Sequence, residues 1–220
     1  MIHSHELANG NKQKQTNGSR PLAGVDNQEH MKMPAQLIHA CINLYGVADC
    51  DFLIRQISRM PEGGRLQLWE FISLVDALVR QDDNILQQGP WLYSRLVCPT
   101  PLDLSYLLEE QVILPYRDTS IEALLPYADN GYYEQTEELE ALLAFLSDRC
   151  AAADRLVQFV GRQLRFSSAR DVMTALQAEA DCSCLDQDEL HSLITAAEAT
   201  TRKVRLRGHT PQEESALCED

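Results

Sequence analysis

Between Thr136 and Phe166 the apolar residues Leu139, Leu142, Leu143, Leu146, Cys150, Ala153, Val157, Val160 and Leu164 recur at steps of three and four. That spacing places them on one side of a helix. Thr136 is suited to the N-cap, Glu137 and Glu138 to the first turn, and Arg162 and Arg165 to the C-terminal end of the helix dipole. No proline interrupts the stretch, so it reads either as one rod of about 40 Å at roughly 1.5 Å per residue or as two helices hinged around Asp148 to Ala152. Its polar positions, Glu137, Glu138, Glu140, Asp148, Asp154 and Arg155, are expected in solvent, and its apolar side carries no group able to do acid–base chemistry. It is expected to be the central packing element.

The same period marks further helices. Pro34 is expected to open one, with Leu37, Ile38, Cys41, Leu44 and Tyr45 on one face and Gly46 as its stop. Helices follow at about 49–60, 66–81 and 102–112, a short one at 121–127, and two more at about 169–180 and 186–200. Gly89-Pro90 marks a turn, the apolar run Trp91 to Val97 is expected to be buried, and Ile113 to Tyr116 reads as a short strand. The expected fold is all-α: a single irregular bundle of about eight or nine helices spanning 34–200. A disordered polar tail is expected at 1–33 and a basic-then-acidic tail at 201–220.

Charge narrows the functions such a bundle can serve. The net charge of −14 belongs to the body: residues 34–198 hold eleven arginines against twenty-six carboxylates. A surface of that sign repels phosphate backbones and favours basic partners. All four lysines, Lys12, Lys14, Lys32 and Lys203, lie outside this body. That fits codon bias in a GC-rich genome, or selection against modifiable amines in a protein exposed to a host ubiquitin system. Seven cysteines at irregular spacing point to free thiols in a reducing compartment. With no apolar leader and no run long enough to span a bilayer, a cytoplasmic location is expected.

Chemistry-bearing patterns are sparse. Two stretches resemble the closing half of an EF-hand loop, Glu62-Gly63-Gly64-Arg65-Leu66-Gln67-Leu68-Trp69-Glu70-Phe71 and Cys184-Leu185-Asp186-Gln187-Asp188-Glu189-Leu190. Counting back from Glu70 puts Arg59, Pro61 and Gly63 where a calcium loop needs oxygen ligands, and counting back from Glu189 puts Ala178, Ala180 and Cys182 there. Neither set binds calcium in the ordinary way, and helix–loop–helix sequences produce such a pattern by chance. Cys182, Cys184 and His191 lack a fourth zinc ligand, and the neighbouring Asp181, Asp186 and Asp188 oppose a reactive thiolate. No metal or cofactor is expected.

The segment 168–199 has the length of a helix-turn-helix, yet its second helix is acidic and would meet the major groove with the wrong sign. No Gly-x-Ser-x-Gly, phosphate-binding glycine loop or His-Glu-x-x-His is present. His39 and Cys41 stand two apart on a helix and do not face each other, and Glu109-Glu110 and Glu137-Glu138 read as solvated helix surface. No catalytic residue is assigned. The expected function is therefore non-enzymatic: a regulatory adaptor or chaperone-like subunit whose partner is another protein, basic or presenting an amphipathic helix. Its candidate partner-binding residues are the cations Arg202, Lys203, Arg205 and Arg207, which would otherwise complement a helix C-terminus. Two alternatives stay open: a regulator touching nucleic acid through the same run, and a secreted effector with its export signal in the polar N-terminus.

Overall fold

The computed structural model describes residues 26–60, 66–179 and 185–217. Among these residues the chain is mostly helical, as the periodicity predicts, with ten α-helices rather than eight or nine and one small antiparallel sheet. The first half holds α1 (Asp26–Tyr45), β1 (Val47–Asp49), α2 (Cys50–Ser58), α3 (Leu68–Gln81), β2 (Ile85–Gln88), β3 (Trp91–Ser94) and α4 (Pro101–Gln111). The second holds α5 (Ile121–Leu124) with a 3-10 turn at Leu125–Ala128, then α6 (Glu137–Ser147), α7 (Ala153–Gln163), α8 (Ala169–Glu179), α9 (Gln187–Thr200) and α10 (Pro211–Leu217).

Helix α1 begins eight residues ahead of Pro34, the residue expected to open it. Proline inside a helix forfeits one backbone bond, and burial offsets the loss: Met31 and Ala35 pack against the first hydrophobic cluster. The export-signal reading concerns residues 1–32, of which 1–25 lie outside the described residues and 26–32 belong to α1.

A small three-stranded sheet accompanies the helices, at positions where the sequence announced only a turn and a buried apolar run. Its order is β1-β3-β2, with Ala48 opposite Leu92 and Gln87 opposite Leu92 on the other side. The predicted Gly89-Pro90 turn joins β2 to β3 as a two-residue hairpin, Gly89 at φ 58°. A glycine at positive φ followed by a proline confined to negative φ has the sign pattern of a type II′ turn, which suits the twist of the strands it connects. The strand expected at 113–116 does not form. There Leu114 donates its N–H back to the Gln111 carbonyl and its own carbonyl accepts from the Arg207 guanidinium at 2.8 Å, so its backbone groups are met by a local turn and a side chain and not by a ladder.

The long amphipathic stretch resolves into the hinged alternative. Helix α6 stops at Ser147 and α7 starts at Ala153. A straight rod cannot cover its own stripe; two helices folded against each other can. Leu142, Leu146, Val157 and Val160 accordingly share one buried cluster, completed by Val172, Leu176, Leu190 and Ile194 of α8 and α9.

Three hydrophobic clusters result. The first gathers α1, α2, α3, the sheet and the turn after α5, with Leu37, Ile38, Leu53 and Leu124 at its centre. The second is the α6–α9 cluster, and a small third joins Val47, Tyr93, Cys98, Leu104, Leu107 and Val204. The first two meet at Arg165. Its guanidinium donates to the Tyr132 carbonyl at 3.1 Å and to that of Asn43, and lies over the Tyr127 ring at 5.1 Å.

Candidate docking surface and the C-terminal segment

The candidate binding cations do not sit on a mobile tail. From Thr201 to Thr210 the chain folds back over the body, and this placement departs from the expected tail for a definite reason: Val204 and Leu206 alternate with the cations and are buried. Lys203 donates to the Ser167 carbonyl at 2.7 Å and pairs with Glu198 at 2.8 Å. Arg202 pairs with Glu134 at 2.8 Å and with Glu213 at 3.5 Å. Arg207, at φ 48°, lies over the Tyr116 ring and contacts Gln111. Arg205 alone of the four is exposed, at the mouth of a cleft described below.

Two buried glycine and glutamine positions hold this return in place. Gly46 has φ 76°, and a Cβ there would collide with the Val204 side chain. Fully buried Gln111 donates through Nε2 to the carbonyls of Tyr45 (2.9 Å) and Val204 (2.7 Å), tying α1, α4 and the C-terminal segment together. Sequence reading missed Gln111, although its spacing from Leu104 and Leu107 places it on the inner face of α4.

Burial alone would raise the Glu198 carboxyl, but the Lys203 ammonium and the Ala169 N–H hold it below its ordinary value of 4.5. Glu213 is likewise lowered: burial opposes this, while the Thr210 N–H and the Arg117 and Arg202 guanidiniums outweigh it. A carboxyl whose folded pKa is depressed contributes stability that is complete above its unfolded value and disappears as pH falls through the folded one. Urea midpoints are therefore expected to fall as pH drops below 4.5. Glu213→Gln is expected to reduce the midpoint at pH 7 and to flatten this acid limb; an unchanged slope would remove Glu213 from the account.

The cleft beside Arg205 lies against α4. Thr100 caps this helix: its Oγ1 accepts from the Asp103 N–H, and the Asp103 carboxylate accepts from the Thr100 N–H at 2.9 Å. The reciprocal bonds and Pro101 in the first turn fix where the helix starts, and so which way each side chain points. Leu104, Leu107 and Gln111 turn inward. Leu102, Tyr106 and Glu109, with Ile113 just beyond the helix, follow at steps of four, three and four on the opposite side. Leu102, Tyr106, Val112 and Ile113 are between 57% and 80% exposed. Next to this ridge is a cleft of about 470 Å³ walled by Leu96, Tyr106 and Phe166, with Glu110 and Arg205 at its rim. With Leu96 and Phe166, six large apolar side chains on or near α4 stand exposed, and clustered exposed apolar groups mark interaction sites.

A second exposed apolar group, Leu68, Trp69 and Ile72, sits at the start of α3. Trp69 is 63% exposed, because Phe71, Leu74, Val75 and Leu78 form the buried face of the helix.

His39 lies 3.7 Å from Asp82, its pKa lowered by burial against the opposing carboxylate, and no hydroxyl or thiol shares the cleft it lines. Burial pushes the Cys41 thiol up, and burial with the Asp103 charge raises Cys98 to about 11. Among the described residues no group of three or more His, Cys, Asp or Glu is arranged to hold a metal. Cys182, Cys184 and Gly63 lie outside the described residues, so the zinc and calcium readings are not addressed by the geometry. No helix among the described residues is long and apolar enough to cross a membrane.

Comparison with protein-family models, with curated proteins and with solved structures gives no match to this chain.

Proposed function

We propose that the protein acts without catalysis, as a regulatory adaptor or chaperone-like subunit in the cytoplasm, and that it docks another protein on the outer face of α4. The observation that carries this reading is the ridge of Leu102, Tyr106 and Ile113 beside an open cleft. Keeping such side chains in water is unfavourable by about 25 cal/mol per Å², and a partner that covers them recovers that energy. The acidic body supports a partner of opposite charge. A nucleic-acid regulator finds less support: Arg202, Lys203 and Arg207 are committed to internal carboxylates and carbonyls, which leaves Arg205 to meet phosphate.

The test is a photo-crosslinking amino acid placed at Tyr106 in cells of the native host. A covalent adduct of defined mass is expected, reduced at least tenfold by Leu102→Ser with Ile113→Ser and absent when the crosslinker replaces exposed Glu122. Failure to form any adduct at Tyr106, or turnover by purified protein in a broad hydrolase and transferase screen, would overturn the reading.

A further inference from the structure

We infer that the occupant of this surface is an amphipathic helix of another protein, about three turns long, with lysine or arginine bordering its apolar face. This rests on the docking role proposed for α4 and adds the shape and charge of what docks. Three features of the surface argue for it.

The first is the absence of backbone groups to pair with. Within α4 the peptide N–H and C=O groups are engaged in the helix, and its first turn is closed by the Thr100–Asp103 capping box. A partner in extended conformation would lay its own N–H and C=O groups against side chains and leave them unpaired, at about 1–3 kcal/mol each. A helix satisfies its backbone internally and presents side chains alone.

The second is spacing. Leu102, Tyr106, Glu109 and Ile113 form one row, which is the kind of ridge that fits between the rows of a facing helix at an axis separation of about 8–10 Å. The row covers about 16 Å at roughly 1.5 Å per residue, which sets the partner's length at about three turns. The cleft walled by Leu96, Tyr106 and Phe166 has room for one large apolar side chain from that helix.

The third is charge. Glu109 stands within the row and Glu110 on the cleft rim, and neither makes an ion pair with a described residue. Asp103 adds a third carboxylate, against the single cation Arg205. Basic residues on the partner meet this border favourably. A second copy of the chain does not: a two-fold axis through the middle of the row would lay Glu109 beside Tyr106 of the copy and bring the copy's own carboxylates to the same border, where basic residues are wanted.

The probe is a fluorescein-labelled designed helix of about eighteen residues, leucine on one face and lysine on its flanks, with a second peptide carrying glutamate for lysine. Anisotropy titrations use the full chain at about 0.15 M salt, where diffuse attraction is damped. Saturable one-to-one binding of the lysine peptide is expected, with the glutamate peptide at least tenfold weaker. Leu102→Ser with Tyr106→Ser is expected to weaken the lysine peptide at least tenfold, and Glu109→Lys with Glu110→Lys to invert the preference. Trp69→Ser, on the separate apolar group of α3, should leave the titration unchanged. All these positions are exposed, and unchanged circular dichroism and melting would show that each variant folds.

The inference is overturned if the lysine peptide binds all variants alike, if Trp69→Ser weakens it as much, or if it does not bind. A dimer in sedimentation that the Leu102 and Tyr106 changes dissociate would assign the face to a second copy. A Tyr106 adduct in cells without peptide binding removes the helix and keeps the docking role; loss of both removes both.

Discussion

Replacing Arg165 by leucine is expected to split unfolding into two transitions and to cost roughly 3–5 kcal/mol, because two buried carbonyls lose their donors at about 1–3 kcal/mol each and ring contacts are lost with them. Arg165 is 4% exposed and stands where the first and second hydrophobic clusters meet. Its two terminal nitrogens reach Asn43 of α1 and Tyr132 ahead of α6, its plane lies near Tyr127 and Phe166, and its own carbonyl accepts from the Val204 N–H. One side chain thus bonds to both halves. Burial lowers its pKa, with Tyr127, Glu134 and Tyr132 opposing the shift, so the charge is retained at a desolvation cost. Arg165→Lys should recover little, since one ammonium cannot span both carbonyls as a planar fork does. The measurement is direct, because both tryptophans, Trp69 and Trp91, lie in the first half. Urea curves followed by tryptophan emission and by far-ultraviolet circular dichroism should coincide in the wild type and separate in Arg165→Leu. Coincident curves in the variant would show that the halves are coupled elsewhere.

Leu142→Asp is expected to abolish the folded state of α6 to α9. Leu142 is fully buried at the centre of the second cluster, and an ionised carboxylate there has neither partner nor water. Such a change costs more than about 4 kcal/mol, a large share of the 5–15 kcal/mol that a domain has in hand. Val157→Asp, facing the same cluster from α7, should behave alike. Circular dichroism would report the loss of helix. A variant that kept its helicity and melting temperature while losing a partner would mean that this stripe, and not α4, is the open surface.

The longer helices were legible because each runs far enough for its apolar period to declare itself, and the pairing of α6 with α7 follows once that stripe must be covered; α10, seven residues with none buried, carried no such period. The sheet was not. Strands β1, β2 and β3 have three or four residues, fewer than alternation needs to stand apart from chance, and only the Gly89-Pro90 turn announced them. The exposed face of α4 was legible in part: the helix carries Leu104 and Leu107 on one side and Leu102 and Tyr106 on the other, so it is apolar on opposite faces, of which the structure buries the first. The fate of the cations was concealed by composition: Arg202, Lys203 and Arg207 look like a solvated run until Val204 and Leu206 between them are seen to need burial. Of the acceptors that meet them, Glu134 and Leu114 stand far off in the chain, and only Glu198 is close, five residues before Lys203.

The return of the C-terminal segment also sets an order of events during synthesis. Val204 fills the space over Gly46, and Gln111 reaches across ninety-three residues of chain to the Val204 carbonyl while holding that of Tyr45. Until the stretch from Lys203 to His209 has left the ribosome, the third cluster lacks Val204, Gln111 lacks its second acceptor and the Leu114 carbonyl lacks its donor. The N-terminal half, though made first, is expected to close last, and a nascent chain halted before residue 204 would present α4 with its inner face unsealed as well as its outer one.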